Sequence, residues 1–445
     1  MILLVALALV ASQAAAPPDT GVTAFVDVTV IPMDTERLVP GQTVLVRDGR
    51  ITAIGRSGAV QVPRGARRIE AKGKFLLPGL AEMHAHVPGG NASNADIARV
   101  LLLYTANGIT TIRGMLGHPR HLELRAALAR GDVLGPRLIT AGPSLNGNSV
   151  PDWATAQRLV AEQKAAGYDF LKIHPGIGRS TFDSLAAAAV RHGMRLAGHV
   201  PLDVTLDGAL RHHFWTIDHL DGYAEALAAG NVPAPAPASE FFGGNLTTWF
   251  DTTRIDDLVR RTVAAGVAQV PTEILFENIA AYASVDLLRA RPEHRYVSAK
   301  TLDQWATQTE SIVEGLGPHA LGRLVAMRRR LIKAMQDGGV LLVLGSDAPQ
   351  IWNVPGFSMH RELESLVAAG LTPYQALRTG TTNVATLLGE PAPAGTVAVG
   401  ARADMVLLDA NPLEDVSRTR AIAGVMLAGR WWPSAELARR LDAGP

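Results

Sequence analysis

Between residues 95 and 347 the chain repeats one short cycle: an alanine-rich amphipathic stretch, a glycine, a brief apolar run, then a polar side chain. ADIARVLLLYTANG precedes ITTIRGM, TAQRLVAEQKAAGY precedes DFLKIH, and TFDSLAAAAVRHG precedes MRLAGHV. DLVRRTVAAG before VAQVPTE and RLIKAMQDGG before VLLVLGSDAP continue it. Helix, glycine, buried strand is the pattern of βα units, whose parallel strands are covered on both faces and so are apolar throughout. About 300 residues of it predict an α/β protein with a closed (β/α)8 barrel carrying insertions. An open doubly wound sheet is the alternative, but no G-x-G-x-x-G follows a first strand.

Both flanks read differently. TAFVDVTVIPMD, QTVLVRDGRITAIG and RRIEAKGKFLLPG near one end, and GTVAVGARADMVLLDANP and AIAGVMLAGRWWP near the other, are rich in β-branched residues. Arg47-Asp48-Gly49-Arg50 reads as a hairpin turn. Each segment is too small for its own core, so the two are expected to pair into one discontinuous β-sandwich from residues 21–78 and 391–434. The barrel then occupies 79–390. At the very start, ILLVALALV followed by Ala14 and Ala16 has the form of a secretory signal over residues 1–16, without a basic leading segment. The expected location is periplasmic or secreted, with the cytoplasm as the alternative should that segment not direct export. No stretch is long enough to span a membrane.

Composition narrows the chemistry. The 445 residues carry a formal charge of +1, so no basic excess favours nucleic acid. Cysteine is absent, which excludes disulfides, thiolate zinc sites, iron–sulfur clusters and cysteine nucleophiles. A metal here must be held by imidazoles, carboxylates or something less usual.

In a barrel the reacting groups sit where strands end. The first strand ends with His84 and His86, two apart and therefore on one face, which suits metal ligands better than a core. Lys172, in DFLKIH, is the one lysine within a strongly apolar strand. A buried amine there loses basicity and becomes a nucleophile or is chemically converted, unless it snorkels out. His174 follows on the same face. His199 and His219 each end an apolar run, and Asp347 ends the last one as a metal-bound carboxylate, a general base or both. His118, His121, His192, His294 and His319 read as surface residues.

PGLAEMHAH, LKIH, AGHVP, IDHLDG and GSDAP, in that order, resemble the strand-end motifs of the amidohydrolase superfamily. HRELESLVAAGLTPYQALRTGTTNVATLLG and the tail after it are similar to its imidazolonepropionase-like and dipeptidase branch. The resemblance implies two divalent cations, commonly Zn2+. His84, His86 and Asp347 would hold the buried ion, His199 and His219 the more exposed one, with a carboxylated Lys172 between them. It implies attack of a metal-bridging hydroxide on an amide carbonyl, with Asp347 passing the proton to the leaving nitrogen. Glu82 stands where the superfamily often has Asp, and Arg113-Gly114 where Arg-Asp is common.

The substrate expected from this resemblance is a small molecule, a dipeptide or N-acyl amino acid. The alternatives are a cyclic amide or lactone, and a barrel that binds without catalysis. Tyr223, Glu273, His174 and His360 are the candidate substrate residues. The aromatics between Leu220 and Asp251 form either a lid or that loop's own packing. Association into a homo-oligomer is left open.

Overall fold

The computed structural model describes residues 21–233, 238–281 and 285–443. The signal segment expected at 1–16 lies outside them. The described residues form fifteen strands. Five come first: β1 (Val22–Val30), β2 (Val39–Arg47), β3 (Arg50–Arg56), β4 (Arg67–Glu70) and β5 (Phe75–Pro78). Seven short ones follow: β6 (Leu80–Ala85), β7 (Ile109–Gly114), β8 (Arg137–Thr140), β9 (Leu171–Ile173), β10 (Leu196–Gly198), β11 (Thr216–Asp218) and β12 (Ala268–Val270). The last three are β13 (Met405–Leu408), β14 (Ile422–Leu427) and β15 (Arg430–Pro433).

The two chain ends do pair. β5 runs antiparallel to β13, with Leu76 opposite Leu407, inside one eight-stranded sheet of path β15-β14-β13-β5-β1-β2-β3, with β4 on β1. β1 and β15 are separated by three strands on that path, yet Phe25 and Trp431 meet edge-on with ring centroids 5.2 Å apart. The sheet therefore curls over one apolar core containing Val44, Leu76, Met405 and Met426. The turn read at Asp48-Gly49 is present: Arg47 pairs with Arg50, and both turn residues have positive φ, 50° and 73°, as a two-residue hairpin requires.

The seven short strands form two parallel sheets, β6-β7-β8 and β9-β10-β11-β12. Helices connect them, among them Asn94–Ala106, Trp153–Ala166, Arg179–His192 and Ile255–Ala265. The glycines of the repeat stop these helices. Gly167 and Gly193 take left-handed φ of 87° and 60° and close the final turns, a conformation that costs a side-chain-bearing residue more. β8 escapes the sequence pattern because Pro136 and the loop before it interrupt the cycle.

The expected last strand differs from a ladder. Residues 340–348 form no regular ladder: two single parallel bridges, Leu342–Gln269 and Ala348–Ala85, and scattered backbone bonds such as that from the Met83 nitrogen to the Leu344 carbonyl join them to their neighbours. Two residues explain this. Asp347 has φ 62°, and a Cβ on Gly345 would lie 2.4 Å from Val270 Cγ1, so the backbone is drawn too close for a regular register. A further parallel bridge, Ala141–Phe170, links the two short sheets. No described helix is long and apolar enough to cross a membrane.

Candidate metal centre

β6 delivers His84 and His86, and the 340–348 segment delivers Asp347. His86 Nε2 lies 2.7 Å from Asp347 Oδ1, and His84 Nε2 3.5 Å from the same oxygen. One ligand atom from each of the three falls within 4.8 Å of the others, a spacing a single cation would span. His219 follows directly on β11, and its Nε2 is 3.9 Å from Asp347 Oδ2. The imidazoles form an arc. Ring centroids are 5.4 Å apart for His86–His84, 4.5 Å for His84–His219, 4.8 Å for His219–His199 and 5.0 Å for His199–His174.

Lys172, on β9, is fully buried, and its Nζ has no hydrogen-bond partner among the described residues. Room for it comes from the next strand: a Cβ on Gly198, at φ 118°, would sit 2.8 Å from Lys172 Cδ. Burial lowers the Lys172 ammonium below the usual lysine range, while Asp218 and Asp347 oppose that shift. Burial, reinforced by the Lys172 charge, holds His199 and His174 at about 3 and His84 well below the imidazole range. Burial and the neighbouring His84 do the same to His219. Neutral imidazoles keep the lone pair a metal needs.

A supporting layer sets which nitrogen faces inward. His199 Nδ1 meets Asp221 Oδ2 at 2.7 Å and His219 Nδ1 meets Thr272 Oγ1 at 2.8 Å, leaving Nε2 free in both. His84 Nδ1 lies 2.8 Å from Asp218 Oδ2, at an angle too oblique for a hydrogen bond. Asp218 is in turn gripped by Arg113, 3.2 Å to each oxygen, and by Thr216 at 2.6 Å. Glu82 ties β6 to the Asp347 segment, accepting from the backbone nitrogens of His84 and Ser346 and from the Ser346 hydroxyl. Burial pushes its carboxyl up to about 8 against those bonds.

Of the four substrate candidates only His174 adjoins the centre, stacked on His199. Tyr223 does not: it is buried in the main core with its hydroxyl 2.6 Å from Thr262 Oγ1. Glu273 turns away to Arg328, 2.7 Å distant. His360 hydrogen-bonds Thr419 and faces the terminal segment. Each is an apolar-flanked polar residue whose partner comes from a distant part of the chain, which local pattern cannot reveal. His121 and His294 are buried rather than on the surface, His121 against the Pro88 carbonyl and His294 beside Trp305 and Trp352. In the aromatic loop, Phe242 sets its ring centroid 5.5 Å from His219 while packing at 5.3 Å on Phe241, so one side chain both lines the centre and packs its own loop. Asp218, Asp221 and Thr272 were not anticipated, although two Asp flanking a strand-end His in IDHLD were a readable sign of carboxylate partners.

Residues 75–432 match the model of the amidohydrolase family. The chain belongs to the amidohydrolase family. Adenine deaminase from Paracoccus denitrificans is 25% identical over 401 residues, covering 86% of this chain but only 54% of that protein, so the chain spans about half of this relative's length. Imidazolonepropionase from Salinispora tropica is 26% identical over 383 residues, 82% of this chain and 85% of that protein. Among solved structures, a Xaa-Pro dipeptidase with bound methionine superposes with a TM-score of 0.68 at 17% identity, over 93% of this chain and all of the other, a likeness of fold. The metal-capable His84–His86–Asp347 group accords with the divalent ions that amidohydrolases usually use.

Proposed function

We propose that this amidohydrolase is a binuclear metal-dependent hydrolase that cleaves the C–N bond of an amide, in a dipeptide or an N-acyl amino acid. The observation that carries the reading is the buried Lys172 amine, without a hydrogen-bond partner among the described residues and set amid four strand-end imidazoles and Asp347. A fully buried amine with no acceptor is costly as it stands. Carboxylated, it becomes an anionic two-oxygen ligand, and the donor set then fits two dications: His84, His86 and Asp347 for one, His199 and His219 for the other. When bound, such ions supply a water deprotonated near neutral pH and polarise the amide carbonyl.

The chain's own residues do the remainder. Asp347 holds a proton at its carboxylate and returns it to the leaving nitrogen. Asp218, Asp221 and Thr272 keep the imidazoles aimed. A cavity of about 480 Å3 beside His199, walled by Leu202, Leu206 and Phe242, receives an apolar side chain. Arg254 lines the same cavity; its guanidinium donates to the Ala229 carbonyl and forms no ion pair among the described residues, so it is available to a substrate carboxylate. Residues 79–390 would act as the catalytic (β/α)8 barrel, its ring completed by the single bridges at Ala141, Leu342 and Ala348, and the curled terminal sheet as its sandwich companion. Export to the periplasm, resting on residues 1–16, belongs to the same proposal.

The similarity to an imidazolonepropionase favours a second reading, hydrolysis of a cyclic amide on the same residues. A screen of zinc-loaded protein against dipeptides, N-acyl amino acids and lactams separates them. Turnover of the linear amides is the expected result. Turnover confined to lactams selects the second reading, and none at all from protein holding two metals overturns both.

A further inference from the structure

Arg328 belongs to none of the strand-end motifs. It lies on the helix Pro318–Gly338, is buried, and uses all three of its nitrogens. Nε donates to Glu273 Oε2 at 2.7 Å, Nη1 to the His219 carbonyl at 2.6 Å and Nη2 to the Pro271 carbonyl at 2.7 Å. Its flat face rests on Phe276, 3.4 Å from the ring centroid. The two carbonyls bound the places where the backbone is most bent. His219, Leu220 and Thr272 have φ of 64°, 56° and 52°, left-handed values that non-glycine residues adopt only when their surroundings hold them. The same two turns carry the His219 imidazole and the Thr272 hydroxyl that orients it.

We propose that Arg328 is a positioning residue for the second metal: its guanidinium staples the end of β11 to the end of β12, fixing where His219 Nε2 points. Glu273 and Phe276 hold the guanidinium in plane, which gives Glu273 a role behind the site rather than in the pocket. The proposal rests on reading His219 as a metal ligand. A lysine cannot replace the staple, because one ammonium does not reach three acceptors in a fixed fork. A purely structural arginine would, on removal, weaken the whole molecule and both metals alike.

Zinc titration of the metal-stripped full-length protein against a chromophoric chelator resolves the two equivalents. R328K is expected to weaken the second equivalent about tenfold or more, as loss of a partner behind a ligand typically does, and to leave the first within about twofold. Thr272→Val, which removes only the hydroxyl on His219 Nδ1, is expected to give the same split. Retention of both equivalents by R328K, or parallel loss of both, overturns the proposal. Should R328K fail to fold, Glu273→Gln, which keeps the volume and slackens the arginine's anchor, is read by the same two criteria. A wild-type chain that takes up fewer than two equivalents refutes the two-metal reading itself, so the two failures are distinct.

Discussion

Gly198→Ala isolates the slot that admits Lys172 to the centre. The added Cβ would lie 2.6 Å from the Ile173 carbonyl oxygen and 2.8 Å from Lys172 Cδ, so a strand backbone and the lysine stem must both move. The backbone is at φ 118°, where a non-glycine residue costs about 1–3 kcal/mol. Forcing a methyl into a packed site adds about 1–3 kcal/mol. The sum, roughly 2–6 kcal/mol, is a large share of the ~5–15 kcal/mol that holds a typical domain together. Gly193→Ala is the control: its φ of 60° lies in the left-handed region that side chains do enter, and nothing lies within 4 Å of its Cβ. Denaturant midpoints of the chelator-treated proteins give the stability difference, and metal analysis gives the consequence for the centre. G198A is expected to be less stable than G193A by at least about 1–3 kcal/mol, the packing term, with the rarer backbone angle adding to it, and to bind less than its full metal complement. Equal stability and equal metal content in the two variants would refute the claim that Gly198 is shaped around Lys172.

Three further outcomes follow from the same geometry. In metal-free protein the melting temperature should hold a plateau in mild acid and fall on either side. His199, His174 and His360, held at about 3, refuse protons that the unfolded chain binds below about 6.5, so they remove stability as pH falls. Glu273 and Asp221, pushed by burial to about 7, and Glu82, to about 8, keep protons in the fold that unfolded carboxyls lose above about 4, so they remove stability as pH rises. The two sets oppose each other between about 4 and 6.5, so net loss sets in beyond that window on each side. Calorimetry from about pH 3 to 9 checks both limbs, and a monotonic curve would contradict the assignment. Arg254→Ala should raise KM for carboxylate-bearing amides about tenfold or more, the loss of a charged hydrogen bond, and spare uncharged amides of the same shape. Glu82→Ala strands two buried backbone N–H groups, leaves the Ser346 hydroxyl with Ser358 alone, and should destabilise by about 2–5 kcal/mol in urea titrations.

Much of the centre was readable because its signals are local. His84 and His86 share a strand face, and Lys172, His199, His219 and Asp347 each end an apolar run, so period and position alone placed them. The repeating helices and the hairpin at Asp48-Gly49 were legible for the same reason. What was not legible depends on partners far along the chain. Tyr223 looked like a pocket aromatic, but its hydroxyl is hydrogen-bonded to Thr262, 39 residues on. Glu273 looked like a strand-end carboxylate, but a helix carrying Arg328 turns it away. The last strand read as a ladder, whereas the close approach of Gly345 to His84 and Val270 leaves it two bridges.

The two-metal reading turns on Lys172, which once carboxylated would lie between the ions. A crystal structure of zinc-loaded protein, with anomalous data at the zinc edge, decides it. Two anomalous peaks are expected about 3.5–4 Å apart, as in other two-metal sites, one on His84, His86 and Asp347 and one on His199 and His219, with carbamate density between them on Lys172. A single peak, or two peaks with Lys172 ending in a bare amine, would contradict it.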